Sequence, residues 1–303
     1  MTDRAVATVG TVRSWKDLYE LTVSRVGEAH EARWMVEEAS GEAWPDLVLS
    51  DSRVSEKARL RVQAMIERRS AGEPLQYVLG HWAFRGLDLM VDRRVLIPRP
   101  ETEQVVEVAL EELDRRAGKR IVVDLGTGSG AMALSIVAER TRAEVWATDG
   151  SEDALAVASA NLAGLAGFAA TRVRLCRGSW WSAVPAELAG TVDLVVSNPP
   201  YVSTGEMGEL NREVLDWEPR MALEAGLTGL EAVQEILASA PGWLRADGVA
   251  VLEIAPHQAS EAAAAARKAG FASVEVRGDL AGRDRALVAR MAVTGTTGGI
   301  KES

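Results

Sequence analysis

Two short stretches of this chain combine residue types that do chemistry. The first is Asp124-Leu125-Gly126-Thr127-Gly128-Ser129-Gly130, which follows an apolar run and precedes a helical pattern. Glycines at such a turn let the backbone take positive φ and come close to a ligand, while the helix that follows offers unpaired N–H groups. The spacing is G-x-G-x-G, not the G-x-G-x-x-G of dinucleotide folds. Asp149 stands 21 residues after Gly128, at the end of the next apolar run. A carboxylate there can accept hydrogen bonds from both hydroxyls of a ribose. Gly126, Thr127, Gly128, Ser129, Gly130 and Asp149 are therefore candidate contacts for an adenosine-containing ligand.

The second stretch is Asn198-Pro199-Pro200-Tyr201, directly after Val192-Asp193-Leu194-Val195-Val196-Ser197. A residue before proline is held extended, so Asn198 and Pro199 are both stiffened. The side-chain carbonyl of Asn198 and the backbone carbonyl of Pro199 can then accept both hydrogens of a planar NH2 group. An amide or arylamine nitrogen is a poor nucleophile because its lone pair is delocalised. Fixed acceptors on its two hydrogens direct the lone pair toward a sulfonium methyl and stabilise positive charge as it develops, so no strong base is required. Tyr201 can pack on the flat face of the group and offer a π surface to cationic charge, worth roughly 0.5–2 kcal/mol. A turn after a strand explains the two prolines but not the flanking Asn and Tyr. Asn198, Pro199 and Tyr201 are the catalytic candidates.

Both stretches need strand tips to hold them. From Trp15 to about Ala71 apolar residues recur at three- and four-residue steps, broken at Gly41 and Trp44-Pro45 and restarted at Ser55-Glu56; this predicts a small helical domain over residues 1–78. Gly80 to Asp92 turns to period-two alternation, a short hairpin within a linker over 79–97. Over 98–292, strands are expected at Arg120 to Leu125, Glu144 to Asp149, Arg172 to Cys176, Val192 to Ser197, Val249 to Ile254, Ala272 to Val276 and Ala286 to Met291. Helices are expected at Thr102 to Ala117, Met132 to Arg140, Asp153 to Leu165, Gly229 to Ala240 and His257 to Ala269. The order predicts an α/β, Rossmann-like, doubly wound parallel sheet of seven strands. Too few residues, Arg277 to Arg285, join the last two strands for a crossover helix, so these pair antiparallel. Residues 293–303 read as a flexible tail. Seven strands with this loop spacing favour S-adenosylmethionine over NAD as the ligand.

Composition narrows the partners. The 303 residues carry a formal charge of -10, which repels phosphate backbones and disfavours nucleic acid, although Arg115-Arg116-Ala117-Gly118-Lys119-Arg120 is a local basic cluster. The single cysteine, Cys176, cannot form an internal disulfide and lies far from His81 and His257; a reducing compartment fits, and no metal site is expected. Cys176 reads as a small buried apolar residue, His257 as a solvent-facing residue at a helix start, and Glu37-Glu38 and Glu111-Glu112 as solvated helix faces. Glu253, interrupting an apolar strand near its tip, is either a site carboxylate or a paired edge acid. No apolar run reaches ~18 residues and the first residues lack a basic stretch before an apolar core, so a soluble, cytoplasmic chain without a membrane partner is expected.

From roughly Gly72 to Met291 the sequence resembles the release factor glutamine methyltransferases, often called the HemK family. The carriers are Glu73-Pro74-Leu75-Gln76-Tyr77, Val95-Leu96-Ile97-Pro98-Arg99-Pro100-Glu101-Thr102-Glu103, the glycine loop, Asn198 to Tyr201, Trp217-Glu218-Pro219 and Gly282-Arg283-Asp284-Arg285. Asn-Pro-Pro-Tyr is shared with amino-methyltransferases of nucleic-acid bases; its combination with the Ile-Pro-Arg-Pro-Glu-Thr-Glu block and a preceding helical domain is specific. The resemblance implies methyl transfer from S-adenosylmethionine to the side-chain amide of the glutamine in the Gly-Gly-Gln loop of peptide chain release factors. It places cofactor contacts on Gly126 to Gly130, Asp149, Trp180 and Asn198, glutamine contacts on Asn198, Pro199, Pro200 and Tyr201, and release-factor recognition on the N-terminal helices. Ser179 departs from the pattern, standing where family members often carry an acid beside the tryptophan. Two rival readings remain at this point: a base amino-methyltransferase, and a non-catalytic cofactor-binding module.

Overall fold

The computed structural model describes residues 12–49, 52–115, 117–165 and 167–293. All of the tail expected over 293–303 except Val293 lies outside them. The chain divides into two compact units between His81 and Trp82.

The first unit is helical: α1 (Trp15–Val26), α2 (Ala29–Ser40), α3 (Trp44–Leu49), α4 (Glu56–Ser70) and α5 (Leu75–Leu79). Ser14 starts α1 with a capping box, its hydroxyl accepting from the Asp17 N–H at 3.1 Å while Asp17 accepts from the Ser14 N–H at 3.3 Å. The three- and four-residue spacing puts Leu18, Met35, Val36 and Val62 in one apolar core. Arg69 closes it with a bidentate pair to Glu31 at 2.7 and 2.8 Å.

A hairpin of β1 (His81–Phe84) and β2 (Leu87–Met90), all of it but His81 in the second unit, comes next. There follow α6 (Pro100–Asp114), β3 (Arg120–Leu125), α7 (Ala131–Glu139), β4 (Ala143–Asp149), α8 (Glu152–Gly164), β5 (Val173–Arg177), β6 (Val192–Ser197), β7 (Val202–Ser203), α9 (Arg212–Trp217), β8 (Glu224–Gly226), α10 (Glu231–Trp243), β9 (Leu244–Glu253), α11 (Ala259–Lys268), β10 (Ser273–Gly278) and β11 (Asp284–Arg290). Seven strands form one sheet in the order β10-β11-β9-β6-β3-β4-β5. The pairs from β9 to β5 are parallel, and β11 runs antiparallel to both β9 and β10. Alternation along each strand feeds two cores. Val122, Leu194, Val196, Val249 and Val251 face α6, α7 and α8, while Val123, Val195, Ala250 and Leu252 face α10 and α11.

Local differences from the sequence reading have physical causes. The strand β9 begins at Leu244, not Val249: Leu244 pairs with Val192, and Arg245 to Gly248 then form a register irregularity before pairing with β6 resumes at Val249. The helix α10 runs through Pro241 to Trp243; a proline in a last turn removes one hydrogen bond without ending the helix. Glu112 is not a solvated acid. It is buried and accepts from Arg290 at 2.7 and 2.9 Å. Cys176 is half-buried instead of buried, and desolvation pushes its thiol pKa up, which works against a thiolate nucleophile.

Candidate active site

The strand order creates a switch point. From β3 the chain passes to β4 on one side, and the sheet continues to β6 on the other. Ligands of open α/β sheets bind outside the carboxyl ends of strands at such a point. The tips of β3, β4, β5 and β6 border a cavity of about 490 Å³ there, within the roughly 300–1,000 Å³ usual for small-molecule sites. Gly126, Thr127, Gly128, Ser129, Asp149, Trp180, Asn198 and Pro200 share its wall. Gly130, Pro199 and Tyr201 are not part of that wall.

The glycine loop is a tight turn braced by backbone hydrogen bonds. Gly126 and Gly128 have φ of 74° and 56°, a region that costs other residues roughly 1–2 kcal/mol. The N–H groups of Gly126 and Thr127 both donate to the Thr148 carbonyl at 2.9 and 2.8 Å. Gly128 N–H donates to Asp149 Oδ2 at 2.9 Å, and Ser151 N–H to Oδ1 at 2.8 Å. Burial raises the Asp149 pKa, and these backbone donors partly offset the rise. Beneath the loop lies Asp124, 1% exposed, which accepts from the Thr127 hydroxyl at 2.6 Å and the Ala133 N–H at 3.2 Å. Desolvation pushes it up to about 7. Its apolar strand setting gave no sign of that load.

Two adjacent tryptophans divide their roles. Trp181 is buried, stacked on Trp243 at 5.5 Å, and donates its indole N–H to the Ile236 carbonyl at 3.0 Å. Trp180 turns the other way with φ 44° and lines the cavity. A Cβ added to Gly126 would meet the Trp180 ring at 3.4 Å, so the glycine leaves the loop backbone flush beside an aromatic plate. Flush glycine backbone, a flat aromatic and a carboxylate at the next strand tip suit an adenosine moiety, with adenine on the ring and ribose on Asp149. These residues fit S-adenosylmethionine.

Asn198 leaves the tip of β6. Its Nδ2 donates to the Thr102 hydroxyl at 3.2 Å, and that hydroxyl donates to Glu253 Oε2 at 2.6 Å. Glu253 is therefore a paired acid adjoining the site. Pro199 is buried, which fixes its backbone behind Asn198. Tyr201 is half-buried and burial pushes its phenol up to about 12, so it stays a neutral aromatic and does not act as a phenolate base. Its backbone carbonyl accepts from Gln258 Nε2 at 2.9 Å, and the same NH2 group donates to the Gly229 carbonyl at 3.0 Å.

The Val95 to Glu103 block, which carries part of the family resemblance, reaches the cavity wall through Val95, Leu96, Pro98 and Thr102. Its proline-rich, low-entropy form was the available signal. Met221, Ala222, Glu224 and Ala225 join them; nothing in that stretch had marked it. The wall carries Asp149, Glu224, Glu231 and Glu235 against Arg94, which is itself paired with Asp92 at 2.6 Å. His257 is exposed, 3.7 Å from Glu206, and takes no part.

Several known proteins resemble this chain. Residues 101–216 match the methyltransferase small domain family and residues 23–80 the PrmC N-terminal domain family. A release factor glutamine methyltransferase of Cereibacter sphaeroides is 42% identical over 78% of this chain and 81% of its own length. Another, of Bordetella pertussis, is 43% identical over 84% of this chain and 92% of its own. Among solved structures, the hMettl16 catalytic domain in complex with a MAT2A 3'UTR hairpin aligns with a TM-score of 0.54 at 15% identity, covering 86% of this chain and 93% of that one. At that identity the likeness concerns the fold alone. Among the described residues, no helix is long and apolar enough to cross a membrane.

Proposed function

The chain belongs to the release factor glutamine methyltransferase family, and from that membership we propose how its residues divide the work. The protein is an S-adenosylmethionine-dependent protein-glutamine N-methyltransferase acting on release factors. Gly126 to Ser129, Asp149 and Trp180 hold the methyl donor. S-adenosylmethionine supplies a methyl group made electrophilic by its sulfonium sulfur. Asn198 Oδ1 and the Pro199 carbonyl accept the two hydrogens of the glutamine amide, and Tyr201 supports its flat face. These acceptors stabilise the positive charge that gathers on nitrogen more than they stabilise the neutral amide, which is the condition for lowering the barrier. The neutral phenol of Tyr201 and the absence of any need for a strong base agree with that assignment.

The glutamine is that of the Gly-Gly-Gln motif, whose flanking glycines let the side chain enter a narrow site. The helical unit over residues 1–78 is assigned recognition of the release factor protein, with the hairpin over 79–97 leading to the catalytic domain over 98–292. The acidic wall favours a protein substrate over nucleic acid, and release factors place the reaction in the cytoplasm. The observation that carries the reading is that Asn198 and Asp149 share one cavity at the switch point of the sheet.

The test is incubation with labelled S-adenosylmethionine and a purified release factor, followed by peptide mapping. Label on the Gly-Gly-Gln glutamine is expected, with N198A lowering turnover by about 10²–10³-fold while cofactor binding persists. Label on RNA instead, or full turnover by N198A, overturns it.

A further inference from the structure

Asn198 serves a substrate NH2 group only if its side-chain oxygen faces the cavity. Turned by 180° it presents its own NH2, setting donors against donors. The two orientations have nearly the same shape, so hydrogen bonding has to choose between them. Thr102 has one hydroxyl proton, and Glu253 Oε2, 2.6 Å away, is its acceptor. A hydroxyl whose proton is committed can only accept from its other neighbour. That neighbour is the Asn198 amide, bonded through Nδ2 at 3.2 Å. The amide nitrogen is thereby held on Thr102, and Oδ1 is left to the cavity.

From this geometry we infer that Thr102 and Glu253 are positioning residues for methyl transfer: the Glu253 carboxylate, acting through the Thr102 hydroxyl, sets the orientation of the Asn198 amide. The inference rests on the reading of Asn198 as acceptor of the substrate amide. The fold builds the relay from three elements. β6 and β9 are parallel neighbours with Ser197 opposite Leu252, so Asn198 and Glu253 leave the sheet side by side, and the first turn of α6 brings Thr102 to both. Thr102 and Glu253 are 3% and 1% exposed, so water does not compete for these bonds.

The relay works only while Glu253 is ionised. A neutral carboxylic acid can donate to Thr102, which frees the Thr102 proton for Asn198 Oδ1 and turns the amide round. Burial pushes Glu253 up to about 7 against the Thr102 hydrogen bond. From the start of α6, Arg99 favours the charged form and Glu101 opposes it; from β11, Arg285 favours it. Tyr201, the remaining titratable neighbour, is neutral in this range. The productive orientation predominates above about pH 7 and is lost as pH falls through that value.

The experiment compares full-length T102V, T102S, E253Q and N198A in steady-state methylation of a release factor at several pH values, with cofactor affinity measured by calorimetry. T102V and E253Q are expected to lower kcat by about 10- to 100-fold, less than loss of a direct hydrogen-bonding group, with cofactor affinity within about threefold. T102S, which keeps the hydroxyl, restores kcat to within about fivefold of the parent. The parent loses kcat on the acid side and E253Q lacks that limb. Parental kcat in T102V, a T102S as impaired as T102V, or an acid limb that survives in E253Q overturns the inference. If T102V does not fold, the E253Q pH profile and T102S decide. N198A separates the two levels: turnover retained by N198A sinks the reading of Asn198 itself, whereas an inactive N198A beside a fully active T102V sinks only the positioning roles.

Discussion

Gly128 donates its backbone N–H to Asp149 at 2.9 Å, joining two strand tips that lie side by side in the sheet. The carboxylate singled out for a ribose is thus also the brace of the glycine loop. Each of its oxygens holds one backbone donor, from Gly128 and from Ser151, and keeps lone-pair capacity for a ligand hydroxyl. D149N would set an NH2 group against one of those N–H groups. Cofactor affinity is expected to fall by about 10- to 100-fold, the equivalent of one or two charge-assisted hydrogen bonds. Calorimetric titration with S-adenosylmethionine checks this, and an unchanged affinity would show that Asp149 braces the loop without touching ligand.

Gln258 does for the Asn-Pro-Pro-Tyr tip what Asp149 does for the loop. It is 2% exposed, and its NH2 group satisfies the carbonyls of Tyr201 and Gly229 together. Gly229 has φ 78°, and a Cβ there would fall 2.6 Å from the Tyr201 oxygen and 2.7 Å from Gln258 Nε2. G229A is therefore both strained and obstructed. It should lower kcat by at least about tenfold with cofactor affinity nearly kept, since the displaced atoms belong to the substrate side. Q258A strands two buried carbonyls at about 1–3 kcal/mol each; thermal unfolding measures that loss. Normal kcat in G229A would mean that the tip's backbone position is not critical.

Much of this arrangement could be read from residue order because it is local. Gly126 to Gly130 demands a turn whatever surrounds it, and Val192 to Ser197 alternates into both cores, so β6 and its tip were legible to the residue. What could not be read depends on partners far away in the chain. Asn198, Thr102 and Glu253 are separated by 96 and 151 residues, and no local pattern says that their side chains meet. The short strands β7 and β8 and the helix α9 went unread for a different reason: two to six residues are too few to show a period. Asp124 heads the glycine stretch, but nothing in the order of residues showed its load, because burial, not its neighbours in sequence, makes it unusual.

That burial has a pH consequence. Asp124 titrates near 7 in the folded protein, well above the ~3.9 of a free aspartate. A folded-state pKa above the unfolded one means that the folded protein binds the proton more tightly. The stability contribution is thus full below about pH 4 and is lost as pH rises through about 7. D124N cannot ionise, so its melting temperature relative to the parent should rise from about pH 4 to about pH 7 and level off above that. A difference that does not change with pH would place the Asp124 pKa in the ordinary range.

Glu218 ties together the two walls that flank the site. It accepts from the Ile97 N–H at 3.1 Å and pairs with Arg99, joining Trp217-Glu218-Pro219 to the Ile97-Pro98-Arg99-Pro100 segment. Pro98 and Pro219 both line the cavity, so the clamp sets its width. Burial raises the Glu218 pKa while Arg99 and the Ile97 N–H oppose the rise. R99A and E218Q should each cost about 1–3 kcal/mol. That is below the roughly 3–5 kcal/mol of a fully buried pair, because 31% of the Arg99 side chain reaches water. The double variant should cost little more than either single one, since both remove the same contact. Cofactor affinity should weaken in all three as the walls part. Additive losses in the thermodynamic cycle, or full affinity in E218Q, would mean that the two segments hold their positions without the clamp.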